Sequence, residues 1–159
     1  MKKKTKKKSA MKSKEVWVAV SGGFDPIHIG HVRMFQRAKK YGTHLVVILN
    51  NDAWLRTKKG FAFMPEKERA EIIKALGADR VYITKHGDSD PDRTVCKALR
   101  VVKPDIFANG GDRGKGNTPE SDVCKEIGIR MVFGVGHGGK VQSSSWLTDA
   151  VRNRNTASQ

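Results

Sequence analysis

The sequence predicts a single α/β domain built on a five-stranded parallel sheet. Short β-branched apolar runs alternate with segments of helical period along the chain after residue 14, which is the pattern of successive βα units. The glycine-rich and polar stretches follow strands, where parallel sheets present their ligand-binding ends. With 159 residues and no internal repeat, the chain has the length of one ordinary domain.

Each predicted strand is an apolar run of four to six residues. The strands are expected at 16–21, 44–49, 80–83, 105–108 and 130–134, and the helices near 29–40, 66–76, 91–102, 120–127 and 145–152. Right-handed crossovers then place helices on both faces of the sheet. The result is a Rossmann-like, doubly wound fold whose strands end at a ligand crevice.

The boundaries of the second helix are marked clearly. Segment 66–76 follows Pro65, begins with acidic residues and ends at Gly77. Segment 50–64, which contains Lys58-Lys59-Gly60, is predicted to be a long functional or mobile loop. The glycine-rich segment 134–140 is predicted to be a flexible lid or linker before the last helix.

The charge of the chain is unevenly distributed. Residues 1–14 hold eight lysines and no acid; without these eight, the 31 basic residues are reduced to 23, against 16 acidic ones. Such a block predicts a disordered tail, so the domain is expected at 15–152, with a short C-terminal tail at 153–159. Solubility, contact with anionic polymers or a start codon upstream of Met11 would each explain the lysines.

Several classes of protein are disfavoured. No apolar stretch approaches the roughly 20 residues of a membrane span, and the N-terminus lacks the apolar core of a secretory signal. Cys96 and Cys124 are far apart without CxxC spacing, which argues against a zinc ribbon and fits a reducing compartment. We therefore expect a cytoplasmic protein.

The stretch GGFDPIHIGH, residues 22–31, lies at the junction of the first strand and helix. Glycines there let the backbone approach a ligand, and the helix start offers free N–H groups that suit phosphate. His28 and His31 share one face of the helix and can donate hydrogen bonds to oxygens that gain negative charge. Gly30 leaves room where a nucleotide ring or ribose could lie.

Other interpretations of this stretch are weaker. No Gly-Lys-Ser/Thr follows, so it is not a Walker A loop, and it does not match GxGxxG. A zinc site of His28, His31 and Asp25 lacks a fourth ligand at a telling spacing. Capping of the helix by two histidines without any chemistry stays open.

The same stretch, extended to GGFDPIHIGHVRMFQRAKKYG, resembles the HxGH signature of the nucleotidyltransferase superfamily. It is most similar to small cytidylyltransferases such as the glycerol-3-phosphate enzymes, and sugar-phosphate adenylyltransferases of the heptose phosphate type are close behind. Three further segments follow in the order of the family: RTKKGFAFMPEKERAEII at 56–73, KPDIFANGGD at 103–112 and VQSSSWL at 141–147. The resemblance covers about residues 16–151.

The resemblance implies transfer of a nucleotidyl group. The acceptor phosphate attacks the α-phosphate in line and pyrophosphate leaves, which requires positioning and charge neutralisation. His28 and His31 would contact the phosphates, and Lys58 or Lys59 would be the mobile-loop lysine, although each could be merely solvated. Arg69 would contact a substrate phosphate, with a surface ion pair to Glu66 as its alternative.

The resemblance also implies a nucleotide site. The turn at 110–112 would approach the base and ribose of the nucleotide; the alternative is a plain turn. The serines before the last helix would hold the β and γ phosphates or cap the helix. The implied residues are Gly22, Gly23, Phe24, Asp25, Gly30, Asn109, Gly110, Gly111, Asp112, Gln142, Ser143, Ser144 and Ser145.

Three departures from the family pattern leave the acceptor and the base open. Asn109 stands where many relatives have lysine, and Arg113 where cytidylyltransferases often have an aromatic residue. The glycerol-3-phosphate enzymes also place an arginine a few residues before the serines, whereas here the nearest basic residue is Lys140. A Mg²⁺ ion is expected, bound mainly through the triphosphate. Asp25 is the nearest carboxylate, although we expect it to hold the Gly-Gly loop and a histidine.

We therefore expect a nucleotidyltransferase that joins a nucleoside triphosphate, CTP in the first place, to a small phosphorylated alcohol or sugar. Adenylyl transfer to a sugar phosphate or flavin mononucleotide is the alternative; pantetheine-type relatives usually have threonine at the position of His28, which disfavours that acceptor. A nucleic-acid-binding protein using the basic tail is the alternative of another class, although the three tryptophans are scattered. We also expect a homodimer, formed through the apolar patch at 61–64. Nonspecific contact with nucleic acid is expected through residues 1–14.

Overall fold

The computed structural model of the chain describes residues 14–110, 118–136 and 142–156. Its strands are β1 Trp17–Gly22, β2 His44–Leu49, β3 Arg80–Ile83, β4 Ile106–Gly110 and β5 Arg130–Val135. Its helices are α1 Ile29–Ala38, α2 Asp52–Lys59, α3 Glu66–Ala75, α4 Cys96–Val102, α5 Pro119–Ile127 and α6 Ser144–Thr156, with a 3-10 turn at Lys39–Tyr41.

The five strands form one sheet in the order β3-β2-β1-β4-β5, and every neighbouring pair is parallel. The predicted α/β class and the five-stranded parallel sheet are thus confirmed. The chain moves from β1 to β2 and β3 on one side and then returns to β4 and β5 on the other. The loops after β1 and β4 therefore diverge and open a crevice at this switch point.

Successive side chains of a strand point to opposite faces of the sheet, so that a hydrophobic core forms on each face. Val18 and Val20 of β1 belong to one core, which also contains Phe35 of α1 and Ile73 of α3. Ala19 points the other way, into a core with the buried residues of α4 and α5. Helices on both faces confirm the doubly wound arrangement and hold the strand ends of the crevice rigidly.

Segment 50–64 differs from the prediction of a loop, because helix α2 occupies most of it. The Asn51 side chain accepts a hydrogen bond from the Trp54 amide at 3.1 Å and so caps the helix start. The helix buries Trp54 and Leu55 and ends at Gly60, whose φ of 84° provides a left-handed cap. Its short length and its basic last turn concealed it in the sequence.

Helix α4 begins at Cys96, later than the predicted 91, because side-chain turns occupy the preceding segment. Asp90 accepts from the Asp92 amide at 2.9 Å, and Asp92 accepts from the Thr94 amide and hydroxyl at 2.9 and 2.7 Å. Such turns offer the backbone an alternative to helix.

Both terminal segments and the glycine-rich segment are described only in part. Helix α6 continues to Thr156, past the predicted helix end at residue 152 and into the segment predicted as a C-terminal tail. Gly134 belongs to β5 rather than to a lid. Residues 137–140 of the predicted lid and residues 1–13 of the predicted tail lie outside the described residues. No helix in the described ranges is long and apolar enough to cross a membrane.

Candidate active site

His28 and His31 form a stacked pair at the start of α1. Their ring centroids are 3.7 Å apart with an interplanar angle of 26°. His28 is the N-cap, and its Nδ1 accepts from the Gly30 amide at 3.1 Å; the Nδ1 of His31 accepts from the His28 amide at 3.3 Å. In a neutral ring whose Nδ1 accepts, the proton lies on Nε2. Each histidine therefore caps the helix with one nitrogen and retains an Nε2–H donor.

The surroundings keep both rings neutral at neutral pH. Burial, the adjacent His28 ring and the charge of Lys59 lower the pKa of His31 to about 3. Burial and then Lys59 also lower the pKa of His28 from its ordinary value. The pair consequently offers two neutral hydrogen-bond donors rather than two imidazolium charges.

Phe24 and Gly30 hold the pair in place. Phe24 packs edge-on against His31, with ring centroids 4.9 Å apart, and contacts Phe35 of the core at 5.2 Å. A Cβ at Gly30 would lie 2.9 Å from Cε1 and 3.0 Å from Nδ1 of His28. The space at Gly30 thus accommodates the His28 ring; the expectation that a nucleotide also lies there stays a prediction.

Gly22 and Gly23 also make room for neighbouring side chains. A Cβ at Gly22 would lie 3.0 Å from the Phe24 ring, and one at Gly23 would lie 2.9 Å from Cδ2 of Leu55. The packing of the loop on itself and on α2 therefore explains both glycines. Their expected close approach to a nucleotide stays a prediction.

Asp25 connects the loop after β1 to the segment between α2 and α3. It is 1% exposed, and its two carboxylate oxygens accept from the amides of Phe63 and Met64, each at 2.7 Å. This corrects the expectation that Asp25 holds the Gly-Gly loop and a histidine. Because both oxygens accept hydrogen bonds and the side chain is almost completely buried, the carboxylate is poorly placed to bind a metal ion from the crevice.

The structure distinguishes the two adjacent lysines of α2. Lys59 donates from Nζ to the backbone oxygen of Asp25 at 3.0 Å, close enough to the histidines to lower their pKa values. Burial and the Arg69 charge lower the pKa of Lys59, while Asp25 acts in the opposite direction. Lys58 instead lies over the Trp54 ring, 4.5 Å from its centroid. Lys59 is therefore the lysine that the fold places beside the histidines.

Arg69 lies in the interior beneath the site. Its side chain is fully buried, and it donates to the backbone oxygens of Met64 at 2.8 Å, Gly23 at 2.6 Å and Asn50 at 2.8 Å. Its remaining terminal nitrogen binds the Asp52 carboxylate. Both the expected substrate-phosphate contact and its alternative, a surface pair with Glu66, are corrected: Glu66 accepts from the Asp52 amide instead.

The end of β4 carries a buried side-chain amide. Asn109 is 7% exposed, and its Nδ2 has no hydrogen-bond partner among the described residues. The adjacent Gly110 is closely packed, because a Cβ there would lie 2.5 Å from the Met34 sulfur and 3.1 Å from the backbone oxygen of Val135. Gly111 and Asp112 lie outside the described residues. An unpaired donor at a ligand-binding strand end is a group that a ligand can satisfy.

The segment before α6 lies against the loop after β1. Ser144 donates its hydroxyl to the backbone oxygen of Pro26 at 2.9 Å, while Ser145 is exposed at the helix start. The Gln142 side chain accepts from the Ser143 amide at 3.0 Å. The structure thus brings the predicted serine segment next to the histidine loop.

Sequence reasoning missed Asn50 and Asp52. Asn50 is buried at the end of β2, where its backbone oxygen binds Arg69 and its Oδ1 has no partner among the described residues. Asp52 provides the carboxylate for Arg69. Their position directly after an apolar strand was the available signal, because the carboxyl ends of parallel strands share one edge.

These features agree with the comparisons with known proteins. The sequence profile of the family described as cytidylyltransferase-like matches residues 19–131. The chain belongs to this family. The match runs from within β1 into β5 and includes the histidine pair, α2 and Arg69, so membership rests on the elements that build the site.

Individual relatives lie within the same superfamily that the HxGH stretch indicated. The bifunctional protein HldE of Syntrophotalea carbinolica is 36% identical over 142 residues, which are 87% of this chain and 25% of that protein. The FAD synthase of Pyrococcus horikoshii is 36% identical over 120 residues, 74% of this chain and 78% of that protein. The chain spans about a quarter of the length of the HldE protein.

Solved structures support the fold. A lipopolysaccharide core biosynthesis protein from Thermoplasma volcanium has a TM-score of 0.63 and 27% identity, and the match covers 79% of this chain and all of that one. TmcAL from Thermotoga maritima reaches a TM-score of 0.68 over 88% of this chain and 51% of the other at 14% identity. The second likeness concerns the fold alone.

Proposed function

We propose that this protein is a nucleotidyltransferase that transfers the adenylyl group of ATP to a sugar phosphate and releases pyrophosphate. The observation that carries the proposal is the pair of neutral histidines, which are stacked at 3.7 Å and retain their Nε2–H donors beside Lys59. Donors fixed in advance stabilise charge that develops in a transition state. The choice of ATP and a sugar phosphate rests on the likeness to HldE and on the resemblance to adenylyltransferases of the heptose phosphate type.

In the proposed reaction, a phosphate oxygen of the acceptor forms a bond to the α-phosphorus while the bond to the β-phosphate oxygen breaks. The leaving group is pyrophosphate, and no covalent bond to the protein is required. The Nε2–H groups of His28 and His31 donate to the phosphate oxygens that gain charge. The Lys59 ammonium provides positive charge, and Asn109 offers its unpaired amide to the nucleotide.

Flavin mononucleotide is a second candidate acceptor. The Pyrococcus horikoshii relative is named FAD synthase, and the matched residues cover 78% of its length, which is far more than for HldE. Cytidylyl transfer, the expectation from the sequence, is favoured by the description of the family rather than by these named relatives.

A Mg²⁺ ion would assist by neutralising the triphosphate. Among the described residues no group of three or more histidine, cysteine or acidic side chains could hold a metal ion, and Asp25 is occupied by backbone amides. The ion is therefore proposed to bind through triphosphate oxygens and water. The same observation disfavours the alternative of a zinc site within these residues.

The expected homodimer and cytoplasmic location stay predictions. Phe63 of the patch at 61–64 is 55% exposed and so could enter an interface. Sedimentation velocity of the purified chain would measure its oligomeric state.

Pyrophosphate release tests the proposed reaction. ATP and CTP are each assayed with Mg²⁺ against heptose and hexose 1-phosphates, glycerol 3-phosphate and flavin mononucleotide. We expect one productive pair, containing ATP and a sugar phosphate. A productive pair with CTP or with flavin mononucleotide would replace the proposed substrates, and the absence of release with every pair would overturn nucleotidyl transfer.

The adjacent lysines provide a matched control for the site. Lys59→Met should lower kcat roughly 10-fold or more, because it removes a charge beside the phosphates, whereas Lys58→Met, which loses its contact with Trp54, should retain most of the activity. Equal losses in the two variants would contradict the assignment of Lys59.

A further inference from the structure

Basic residues collect at the end of the sheet opposite the crevice. Arg80 opens β3, Arg130 opens β5, and Lys14 lies just before β1. Because the helices run antiparallel to the strands, their last turns lie at this same end. They add Lys40 in the 3-10 turn after α1, Lys74 in α3, Lys103 after α4 and Lys125 in α5. We call these seven residues the basic face; all are exposed.

Helix stability explains only part of this distribution. A basic side chain in the last turn interacts favourably with the helix dipole, which accounts for Lys74 and Lys125. It does not account for Arg80 and Arg130, which begin strands, or for Lys14, which precedes one. Arg80 has a local contact, since its guanidinium lies over the Trp17 ring at 4.8 Å from the centroid. The contact leaves its charge in place, and Arg130 and Lys14 are explained by neither the helix dipole nor an ion pair among the described residues.

The acidic residues at this end are mostly engaged. Asp79 accepts from the Leu45 amide at 2.8 Å and pairs with Lys39 at 3.4 Å. Asp105 accepts from the Trp17 amide at 2.8 Å, and Glu126 pairs with Arg100. Within the described residues, no ion pair joins any member of the basic face to an acid. The face thus presents cations whose charge is not neutralised by a direct partner.

The lysine-rich segment joins the described chain at the same end. Residues 1–13 contain seven lysines and no acid, and they are joined to β1 through Lys14. From there β1 runs six residues to Gly22 at the crevice, which separates the start of the strand from the histidine loop by about 20 Å. The attachment point of the lysine segment therefore belongs to the basic face and not to the active site.

We propose that the basic face, together with the lysines of residues 1–13, binds the phosphate backbone of nucleic acid without sequence preference. The surface lies away from the crevice, so binding there and nucleotidyl transfer are independent. Nucleic acid is favoured over an anionic membrane because residues 1–13 contain only Met1, Ala10 and Met11 as apolar residues. In addition, the large apolar side chains exposed near the described part of this face are Tyr41, Ile72 and Val101, too few to enter a bilayer.

Fluorescence anisotropy with a labelled 20-base-pair DNA duplex between 50 and 200 mM salt tests the proposal. The test variant is Lys40→Glu, Lys103→Glu and Arg130→Glu in one chain. The matched control changes Lys67, Lys85 and Arg93 to Glu; these are exposed basic residues near the carboxyl ends of the strands. We expect the test variant to bind roughly 10-fold or more weaker, with a salt slope reduced by about two to three, and the control to change less than about twofold.

Two further measurements make the outcome decisive. Deletion of residues 1–13 should reduce the salt slope again, and millimolar ATP with Mg²⁺ should not displace the duplex. Equal weakening in test and control variants, displacement by ATP, or binding to phosphatidylserine vesicles but not to DNA would overturn the proposal. Circular dichroism melting checks that each variant is folded. Pyrophosphate release should be unchanged in the test variant, and a failure of the proposed reaction itself would leave the DNA result intact.

Discussion

Replacing Gly30 with alanine should damage the active site while leaving the fold intact. Gly30 is the second residue of α1, and a Cβ there would lie 2.9 Å from Cε1 of His28, against 3.4–4 Å for an ordinary contact. The ring must therefore move by about 0.5 Å or more, since the neighbouring His31 ring is stacked against it at 3.7 Å.

The size of the effect follows from what moves. Loss of one transition-state donor costs roughly 10²–10³ in kcat, and a misplacement of about 1 Å costs roughly 10². A displacement of half that size should lower kcat roughly 10- to 100-fold. The free energy of unfolding should change little, because two effects cancel. Alanine stabilises a helix by up to about 1 kcal/mol relative to glycine, and the weaker His28 cap destabilises it by about the same amount.

Pyrophosphate release at saturating nucleotide measures the first effect, and urea unfolding measures the second. Gly87→Ala is the matched control, because a Cβ there meets nothing within 4 Å and its backbone is not left-handed. A Gly30→Ala enzyme whose kcat stays within twofold of the parent would refute the role assigned to the His28 ring. A large loss of stability with an unchanged kcat would indicate that the histidines only cap the helix.

Three other predictions follow from the same geometry. Because the pKa of His31 is about 3 in the folded chain and near 6.5 in the unfolded chain, unfolding takes up a proton between these values. The contribution of His31 to the free energy of unfolding is therefore complete above pH 6.5. It falls by up to about 1.4 kcal/mol for each pH unit below that value. Urea unfolding of His31→Gln, which retains a cap acceptor, should show a shallower loss; parallel curves would contradict it. Arg69→Met should lower the free energy of unfolding by about 3–5 kcal/mol, because it leaves Asp52 and three backbone oxygens without their donor. The exposed Arg33→Met should cost less than about 0.5 kcal/mol in the same urea measurement. Removal of Mg²⁺ with EDTA should abolish pyrophosphate release without changing the thermal unfolding midpoint of the free chain; a lower midpoint would indicate a resident metal.

The sheet could be predicted from sequence because its signal is local. Each strand is an apolar run, and the bounds 44–49 and 80–83 agree with β2 and β3 as observed. Helix α2 could not be recognised in this way. It has only eight residues, four of them charged, and its buried residues Ala53, Trp54 and Leu55 are consecutive rather than spaced at helical period.

The roles of charged residues depended on contacts that no local pattern reveals. Arg69 belongs to a helix rich in charge, which suggested a surface position, yet its acceptors are mainly backbone oxygens from three separate segments. Any residue type could supply those oxygens, so the sequence carries no trace of them. The choice between Lys58 and Lys59 likewise depends on the rotation of α2, which is set by the packing of Trp54 and Leu55.

In this site the two histidines provide hydrogen-bond donors, and Lys59 provides the positive charge. The contacts of the histidine rings are those of the neutral form. A protonated ring would lose its Nδ1 acceptor, and with it either the cap on Gly30 or the bond to the His28 amide. Burial of the rings disfavours that protonation most, and the charge of Lys59 adds to it by lowering the pKa of both histidines. Burial likewise lowers the pKa of Lys59, with a smaller effect of the Arg69 cation in the same direction. Helix capping and the nearby lysine thus favour the same tautomer, with the proton on Nε2. The residues that would bind a triphosphate are therefore held in their donor form before any nucleotide enters, which is the condition for preorganised stabilisation of a transition state.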